Sequence, residues 1–323
     1  LGCTGQDGSL LSNFLLNKNY KVVGVARRTS SPTDWRLREL NIINHPYFIL
    51  CSGDLTDQGS LERIFKKYQP DEIYNLAAQS FVGASWDCSL QTCDVTGLGA
   101  VRVFDAARNI CPKAKIYQAS SSEMFGGSDR REVLDEDSIF DPQSPYGAAK
   151  VFAHQMANVY RKSFNMFISC GILMNHESEY RGEQFVTRKV TKAVAEIKLG
   201  LRGKLNLHNL DSMRDWGYAG DFINAMYLML QQSYPDDYVI ATGKIHSISD
   251  LCRIAFGGAD INNWEDYIEL KGGRLADVKY LLGSYEKANH VLGWSPTVSF
   301  KDMIKIMVDK DIERIRGNNG SIS

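Results

Sequence analysis

The sequence predicts an α/β fold, a doubly wound parallel sheet with a smaller C-terminal α/β lobe. Three observations carry that expectation. A glycine loop, Gly2-Cys3-Thr4-Gly5-Gln6-Asp7-Gly8, runs straight into a segment with a helical apolar face at 10–16 and then a buried strand at 21–27. Short apolar runs alternate with helical segments through the first half of the chain, the rhythm of a parallel sheet covered on both faces. Tyr146 and Lys150 stand four residues apart, on one face of any helix that holds them.

The elements follow in order. Gly5 and Gly8 leave space where a chain turns from strand into helix, so that backbone N–H groups and the helix N-terminus can face a pyrophosphate. Such a loop should follow an apolar strand, and Leu1 alone precedes it, so further residues are expected upstream. About twenty residues after the loop, where an NAD-binding fold places an acid against the ribose 2′-OH, stand Arg27, Arg28, Thr29 and Ser30. Guanidinium and hydroxyl groups suit a 2′-phosphate and favour NADP; a solvated basic loop is the competing reading. Strands are expected at 47–51, 72–77, 115–119 and 167–173, and helices at 61–68, 95–109 and 146–164. Right-handed crossovers then gather the strand ends on one edge of a Rossmann-type sheet. Asp54, Leu55, Ala77, Ala78, Gln79 and Ser80 lie just past such ends, suited to adenine and ribose.

After Leu173 the rhythm becomes irregular. Helices are expected at 185–199, 219–232, 248–256 and 300–315, a polar stretch at 206–216 and a strand at 238–241. We read residues 1–174 as the nucleotide-binding domain and 175–323 as mainly the substrate lobe, with segments near 209–242 returning to the first. Gly257-Gly258 and Gly272-Gly273 read as flexible points.

Composition narrows the class. The 323 residues are long enough for a large core, and a formal net charge of −1 gives no broad reason to expect nucleic acid or an anionic membrane. No apolar run reaches membrane-spanning length. Seven cysteines, odd in number and without a CxxC, read as reduced cytoplasmic thiols, and the six histidines lack metal-ligand spacing.

The chemistry-bearing residues converge on one reaction type. An ammonium one helical turn from a phenol should lower its pKa from about 10 toward the working range, making Tyr146 an acid/base for a hydroxyl that loses hydride. Gln118-Ala119-Ser120-Ser121-Ser122-Glu123 lies at a strand's C-terminal end, where a hydroxyl can meet the reacting oxygen. Glu123 is the unusual member. A simple reductase needs no carboxylate there, whereas an elimination must remove a C–H beside a carbonyl.

These residues resemble the extended short-chain dehydrogenase/reductase superfamily and, more closely, the GDP-mannose 4,6-dehydratase family. The matching segments are TGQDG at 4–8, WRLREL at 35–40, GDLTD at 53–57, NLAAQSFVGAS at 75–85, QASSSEMFG at 118–126, SPYGAAK at 144–150, GILMNHES at 171–178, FVTRKV at 185–190, RDWG at 214–217 and LGWSP at 292–296. They span nearly the whole chain; NHES, FVTRK and RDWG are far more specific than the YxxxK pair. The resemblance implies NADP-dependent dehydration of GDP-mannose to GDP-4-dehydro-6-deoxy-mannose. Tyr146 would act at C4 with Lys150 as its partner, Glu123 as the C5 base, and Ser121 in place of the family's usual threonine. It places Gly2, Thr4, Gly5, Gln6, Asp7, Arg27, Arg28, Thr29, Ser30, Asp54, Leu55, Leu76, Ala77, Ala78, Gln79, Ser80, His176 and Arg181 at NADP, besides Tyr146 and Lys150. For the GDP-sugar it implies Ser80, Glu123, Asn175, Lys189, Arg214, Arg274 and Asp277. It also implies a homo-oligomer, tetramer or dimer, and the basic segment 28–40 with Trp35 reads as a partner surface. Glu179 replaces a usual proline, and 273–277 departs from the family's aromatic-Arg-Pro pattern. A GDP-4-keto-6-deoxy-sugar reductase, a nucleotide-sugar epimerase and a non-catalytic NADP sensor are the alternatives on this fold.

Overall fold

The structure, a computed structural model, describes residues 1–126, 131–272, 278 and 280–320. α1 (Gln6–Asn17) starts at Gly5 and buries Leu11, Leu15 and Leu16 against the sheet. β1 (Val22–Ala26) pairs in parallel with β2 (Phe48–Ser52), and the short α2 (Trp35–Glu39) lies in the connection between them. α3 (Gln58–Tyr68) is N-capped by Asp57, whose side chain accepts from Ser60 N, and ends at Gln69 in the left-handed region. β3 (Glu72–Asn75) follows. α4 (Ser89–Thr92) continues through a π-helical stretch, Cys93–Leu98, into α5 (Gly99–Ile110). β4 (Lys115–Ala119), the two-residue β5 (Val133–Leu134), α6 (Pro145–Phe164) and β6 (Ile168–Leu173) complete this half.

The second half begins with β7 (Asn175–Glu177) and α7 (Val186–Lys198), then β8 (Leu205–Leu207), β9 (Met213–Arg214) and β10 (Trp216–Tyr218). α8 (Ala219–Leu230) and β11 (Asp237–Ile240) come next, followed by β12 (His246–Ser247), α9 (Ile248–Gly258), β13 (Ile268–Leu270), β14 (Tyr280–Gly283), α10 (Glu286–Leu292) and α11 (Phe300–Gly320).

The central sheet runs β11-β6-β4-β3, all parallel, with Ile73, Ile116 and Ile168 in register across it. β6 is buried at every position, as a strand covered by helices on both faces must be. β11 reaches this sheet from late in the chain, and α8 packs Phe222, Met226 and Met229 into the same core as Leu11 and Leu15. A separate core formed by α7, α9 and α11 contains Val190, Val194, Leu251, Phe256, Met303 and Met307.

β1 and β3 flank a slot of about 270 Å³ lined by Leu11, Leu15, Val22, Phe65, Ile73 and Tyr74. Leu1 crosses its end with strand-like bonds: Leu1 N donates to Tyr74 O at 2.8 Å, Leu76 N to Leu1 O at 3.2 Å and Gly2 N to Val25 O at 2.8 Å. Both sheets thus converge on the glycine loop. Elsewhere two expectations are corrected. Gly257 and Gly258 form the last residues of α9 and are not a flexible joint, because the helix that buries Leu251, Cys252, Ala255 and Phe256 carries them along. The helix expected over 95–109 is regular from Gly99 only, the preceding turn being π-helical.

Candidate active site

β4 ends at Ala119, and the chain turns at Ser121 into a short 3₁₀ turn, Ser122–Met124, with Glu123 N donating to Ser121 Oγ at 3.3 Å. α6 starts opposite. Ser144 caps it by accepting from Gly147 N at 3.0 Å, and Pro145 occupies the first helical position, where its missing N–H is harmless. A Cβ on Gly147 would stand 2.6 Å from the Glu123 carbonyl oxygen, so glycine here lets α6 close on the turn. Ser121, Glu123, Tyr146 and Lys150 consequently line one cavity of about 980 Å³ at the C-terminal edge of the sheet.

Lys150 is 4% exposed, and its Nζ donates to Ala119 O at 2.6 Å. Burial lowers its pKa to about 8. Tyr146 does not follow the expectation that the ammonium draws it down. Burial pushes the phenol up to about 12, the Ser121 hydroxyl bond opposes this, and the Glu123 carboxylate adds to it. The Lys150 ammonium lies 5.7 Å from the tyrosine ring centre and is directed to a carbonyl instead.

The glycine loop forms the facing wall. Gly2 has φ +81, and a Cβ there would come within 3.0 Å of the Ala77 backbone; one on Gly8 would lie 2.2 Å from Gly2 O. Two side chains of the loop are tied to the NHES segment. Gln6 Nε2 donates to His176 O at 3.1 Å and its Oε1 accepts from Ser178 Oγ at 3.0 Å. His176 lies with Nε2 2.9 Å from Asp7 Oδ2 and Nδ1 2.8 Å from Met174 O. Both ring nitrogens face acceptors, which favours the imidazolium. Burial opposes that charge, but Asp7 outweighs it and raises the His176 pKa; reciprocally, His176 overcomes burial and holds Asp7 at about 2. Arg181 bridges Glu177 Oε2 at 3.0 Å and lies 3.6 Å over the Phe185 ring.

Gly2, Gly5, Gln6, Asp7, Leu76, Ala78, Ser80, His176 and Arg181 line the cavity, as do Asn175, Lys189 and Arg214. The Asn175 Oδ1 is buried and finds no hydrogen-bond partner among the described residues. Thr4, Ala77 and Gln79 sit behind the wall: Thr4 O accepts from Arg36, Ala77 packs on Gly2, and Gln79 N donates to Thr96 Oγ1 at 3.2 Å. Leu55 is buried beneath Gly99, and Asp54 Oδ1 accepts from Thr56. Arg27, Arg28, Thr29 and Ser30 form an exposed loop beyond β1 and do not line the cavity. Arg274 and Asp277 lie outside the described residues.

Sequence reasoning missed Arg36, whose segment it read as a partner surface. Arg36 lines the cavity, with Nε donating to Tyr180 O at 2.6 Å and Nη1 to Thr4 O at 3.0 Å. Burial and the guanidiniums of Arg188, Arg314 and Arg181 lower its pKa to about 10. Trp35 beside it packs on its own chain, 6.2 Å from the Tyr180 ring and 5.3 Å from the Arg314 guanidinium, while remaining 39% exposed.

A glycine loop on a parallel sheet, facing a Ser/Tyr/Lys set at the strand ends, defines the class of short-chain dehydrogenase/reductase-like enzymes. The family model "GDP-mannose 4,6 dehydratase" matches residues 1–307. GDP-mannose 4,6 dehydratase 2 of Arabidopsis thaliana is 46% identical over 322 residues, 97% of this chain and 86% of that protein. The GDP-mannose 4,6 dehydratase of Homo sapiens is 40% identical over 344 residues, 98% of this chain and 91% of that one. The chain belongs to the GDP-mannose 4,6-dehydratase family, a family of hydro-lyases. Its fold is shared with the dTDP-glucose 4,6-dehydratase DesIV of Streptomyces venezuelae, solved with NAD bound, at TM-score 0.87 and 22% identity over 99% of this chain and 96% of that one.

Proposed function

We propose that this enzyme converts GDP-mannose to GDP-4-dehydro-6-deoxy-mannose using NADP. The observation that carries the reading is the convergence of Ser121, Glu123, Tyr146 and Lys150 on one cavity that a glycine loop and the cationic groups Lys189 and Arg214 also line. A nicotinamide dinucleotide fits the residues present. Gly2 and Gly8 stand where a Cβ would obstruct the loop, α1 presents its N-terminus, and Arg36 and Arg181 supply positive charge. The exposed Arg27 and Arg28, with Thr29 and Ser30, are the groups available to a 2′-phosphate, and Asp54 and Leu55 stand at the neighbouring strand end.

A bound nicotinamide would supply a hydride acceptor for C4 and a hydride donor for C6, with no net consumption over a turnover. The chain's own groups move the protons. Tyr146 takes the C4 hydroxyl proton, with the Ser121 hydroxyl holding both oxygens. To accept that proton Tyr146 must be the phenolate, a form that the Ser121 hydroxyl bond favours against burial and to which the Lys150 ammonium, 5.7 Å from the ring, adds a positive charge. Glu123 removes the C5 proton that the new ketone acidifies and hands it to the departing C6 hydroxyl, which leaves as water; the proton that Tyr146 took up balances the one C5 regains when C6 accepts hydride. Asn175, Lys189 and Arg214 hold the nucleotide diphosphate and guanine by amide and cationic contacts. Burial, then Arg202 and Lys271, lower the Lys189 pKa, and an anion placed there relieves that repulsion.

The reading includes a reducing compartment such as the cytoplasm, in keeping with seven free cysteines, and a homo-oligomer. Leu90, Leu98, Phe152 and Val159 are exposed on α4 to α6 and offer an apolar face for a second copy. No described helix is long and apolar enough to cross a membrane. The test is incubation of GDP-mannose with catalytic NADP, followed by product mass. Loss of one water without net NADPH supports the reading; stoichiometric NADPH consumption on a 4-keto-6-deoxy sugar replaces it with a reductase.

A further inference from the structure

One buried polar cluster has no part in the chemistry above. His154 on α6, Cys170 on β6 and Asp237 on β11 bring a ring nitrogen, a thiol and a carboxylate within 4.8 Å of one another. These are metal-donor types, but a cation is already in place: Arg161 Nη2 lies 2.5 Å from Asp237 Oδ1, and Asn158 Nδ2 donates to Oδ2 at 3.4 Å. Burial raises the Cys170 pKa well above the ordinary thiol value, so it is not a thiolate. The groups facing His154 are therefore Ser120 from the end of β4, Cys170 from β6, Asp237 from β11, Arg161 further along its own helix, and the edge-on ring of Phe140 at 5.2 Å.

The tautomer follows from these neighbours. Burial opposes the Asp237 charge, but the Arg161 guanidinium bonded to it keeps the carboxylate ionised; burial lowers His154, so the ring is neutral. Nε2 lies 3.6 Å from Asp237 Oδ2 and carries the ring proton toward that charge. Nδ1 is then an acceptor, 2.9 Å from Ser120 Oγ, and the Ser120 hydroxyl donates to it. Ser120 sits between two residues that bond to the reacting tyrosine and lysine. The Ala119 carbonyl takes the Lys150 ammonium, and the Ser121 hydroxyl bonds Tyr146.

We propose that His154 is a positioning residue: by accepting the Ser120 hydroxyl one helical turn beyond Lys150, it locks the 119–121 segment against α6 and so sets the geometry of Ser121, Tyr146 and Lys150. The proposal rests on the catalytic reading above. Two amide substitutions separate it from a merely structural role. Asparagine places its carbonyl oxygen near the Nδ1 position and can still accept from Ser120. Glutamine reaches toward Asp237 and cannot. His154→Asn should keep kcat within about twofold, whereas His154→Gln and His154→Phe should lose about tenfold or more, since a misplacement approaching 1 Å at reacting groups costs that much. KM for GDP-mannose should stay within about twofold, because no substrate contact is touched. Ser120→Ala should match His154→Phe, and the double variant should add no further loss. Unchanged kcat in the Phe and Gln variants, or an Asn variant as impaired as Phe, overturns the proposal. An arm independent of turnover is ¹⁵N NMR of the imidazole, which should show Nε2 protonated and Nδ1 as an unprotonated acceptor. Protonation at Nδ1 overturns the proposal even if GDP-mannose is not the substrate. A wild type inert toward GDP-mannose, with the NMR signature intact, refutes the functional reading instead.

Discussion

Replacing Lys150 by methionine should stabilise the fold while removing its activity. The ammonium is 4% exposed, and its hydrogen-bond partner is the Ala119 carbonyl. A fall in pKa from 10.5 to about 8 corresponds to about 3 kcal/mol of unfavourable burial at neutral pH. Methionine fills a similar volume without charge. Ala119 O keeps a partner after the change, because Gln118 Nε2 also donates to it at 3.1 Å. Losing the ammonium bond offsets part of the gain, leaving a net stabilisation of about 1–2 kcal/mol. The sign with pH is fixed by linkage. The folded-state pKa lies below the unfolded one, so between about 8 and 10.5 the unfolded chain binds the extra proton and wild-type stability rises with pH relative to Lys150→Met. The gap should be full at pH 7, vanish near pH 9 and reverse in favour of wild type toward pH 10. Urea denaturation without nucleotide, from pH 7 to 10, measures it. A variant less stable than wild type at pH 7, or a gap that ignores pH, would show that the buried charge is not the cost assigned to it. Turnover should fall by about a hundredfold or more, since the cation beside the phenol is lost.

Three other outcomes follow from the same geometry. Glu123→Gln should retain cofactor binding and lose dehydration by about a hundredfold to ten-thousandfold, with a 4-keto sugar still carrying its C6 hydroxyl detectable by mass; near-normal dehydration would remove Glu123 from the mechanism. Arg27→Ala or Arg28→Ala should weaken NADP binding by about tenfold or more and leave NAD unchanged, measured by titration calorimetry; equal wild-type affinity for both cofactors would refute the assignment. Asp7 is held at about 2 against 3.8 unfolded, so its pair with His176 contributes about 2 kcal/mol that is present above pH 4 and lost as pH falls through 2. Asp7→Asn should therefore melt lower than wild type at pH 6, with the difference shrinking toward pH 2; a constant difference would count against the ion pair.

Much of the fold was legible because local signals and tertiary packing agree. β6 reads as an uninterrupted apolar run since both its faces are covered, and α6 announces itself through Ser144, Pro145 and a glycine where a turn must approach. The two- and three-residue strands β5, β8, β9, β12 and β13 carry no period, and long-range pairing alone defines them. The same limit applies at the site. The glycine loop and the Tyr/Lys pair are local patterns, whereas Asp7 and His176 meet across 169 positions and Arg36 reaches Tyr180 across 144. Arg36 was visible within WRLREL, yet a sequence cannot show that α2 turns its arginine toward the loop and its tryptophan onto α11. The pKa of Tyr146 was misjudged for a related reason. Spacing puts Lys150 one turn away, but the carbonyl that takes the ammonium belongs to another strand.

α6 shows how these levels connect. Tyr146, Lys150, His154 and Asn158 recur at every fourth position, a polar stripe on a helix whose neighbouring positions Ala149, Ala153 and Ala157 are buried. An apolar stripe would pack at lower desolvation cost. Each polar group instead finds one partner at the C-terminal edge or flank of the sheet: Ser121 for Tyr146, Ala119 for Lys150, Ser120 for His154 and Asp237 for Asn158. Three of those partners are consecutive residues. A helix that slid or rotated by one position would break three bonds together and leave buried polar groups unmatched, at about 1–3 kcal/mol each. The stripe therefore specifies a single register between helix and strand end, and that register is what brings the phenol, the ammonium and the Ser121 hydroxyl to one point in the cavity.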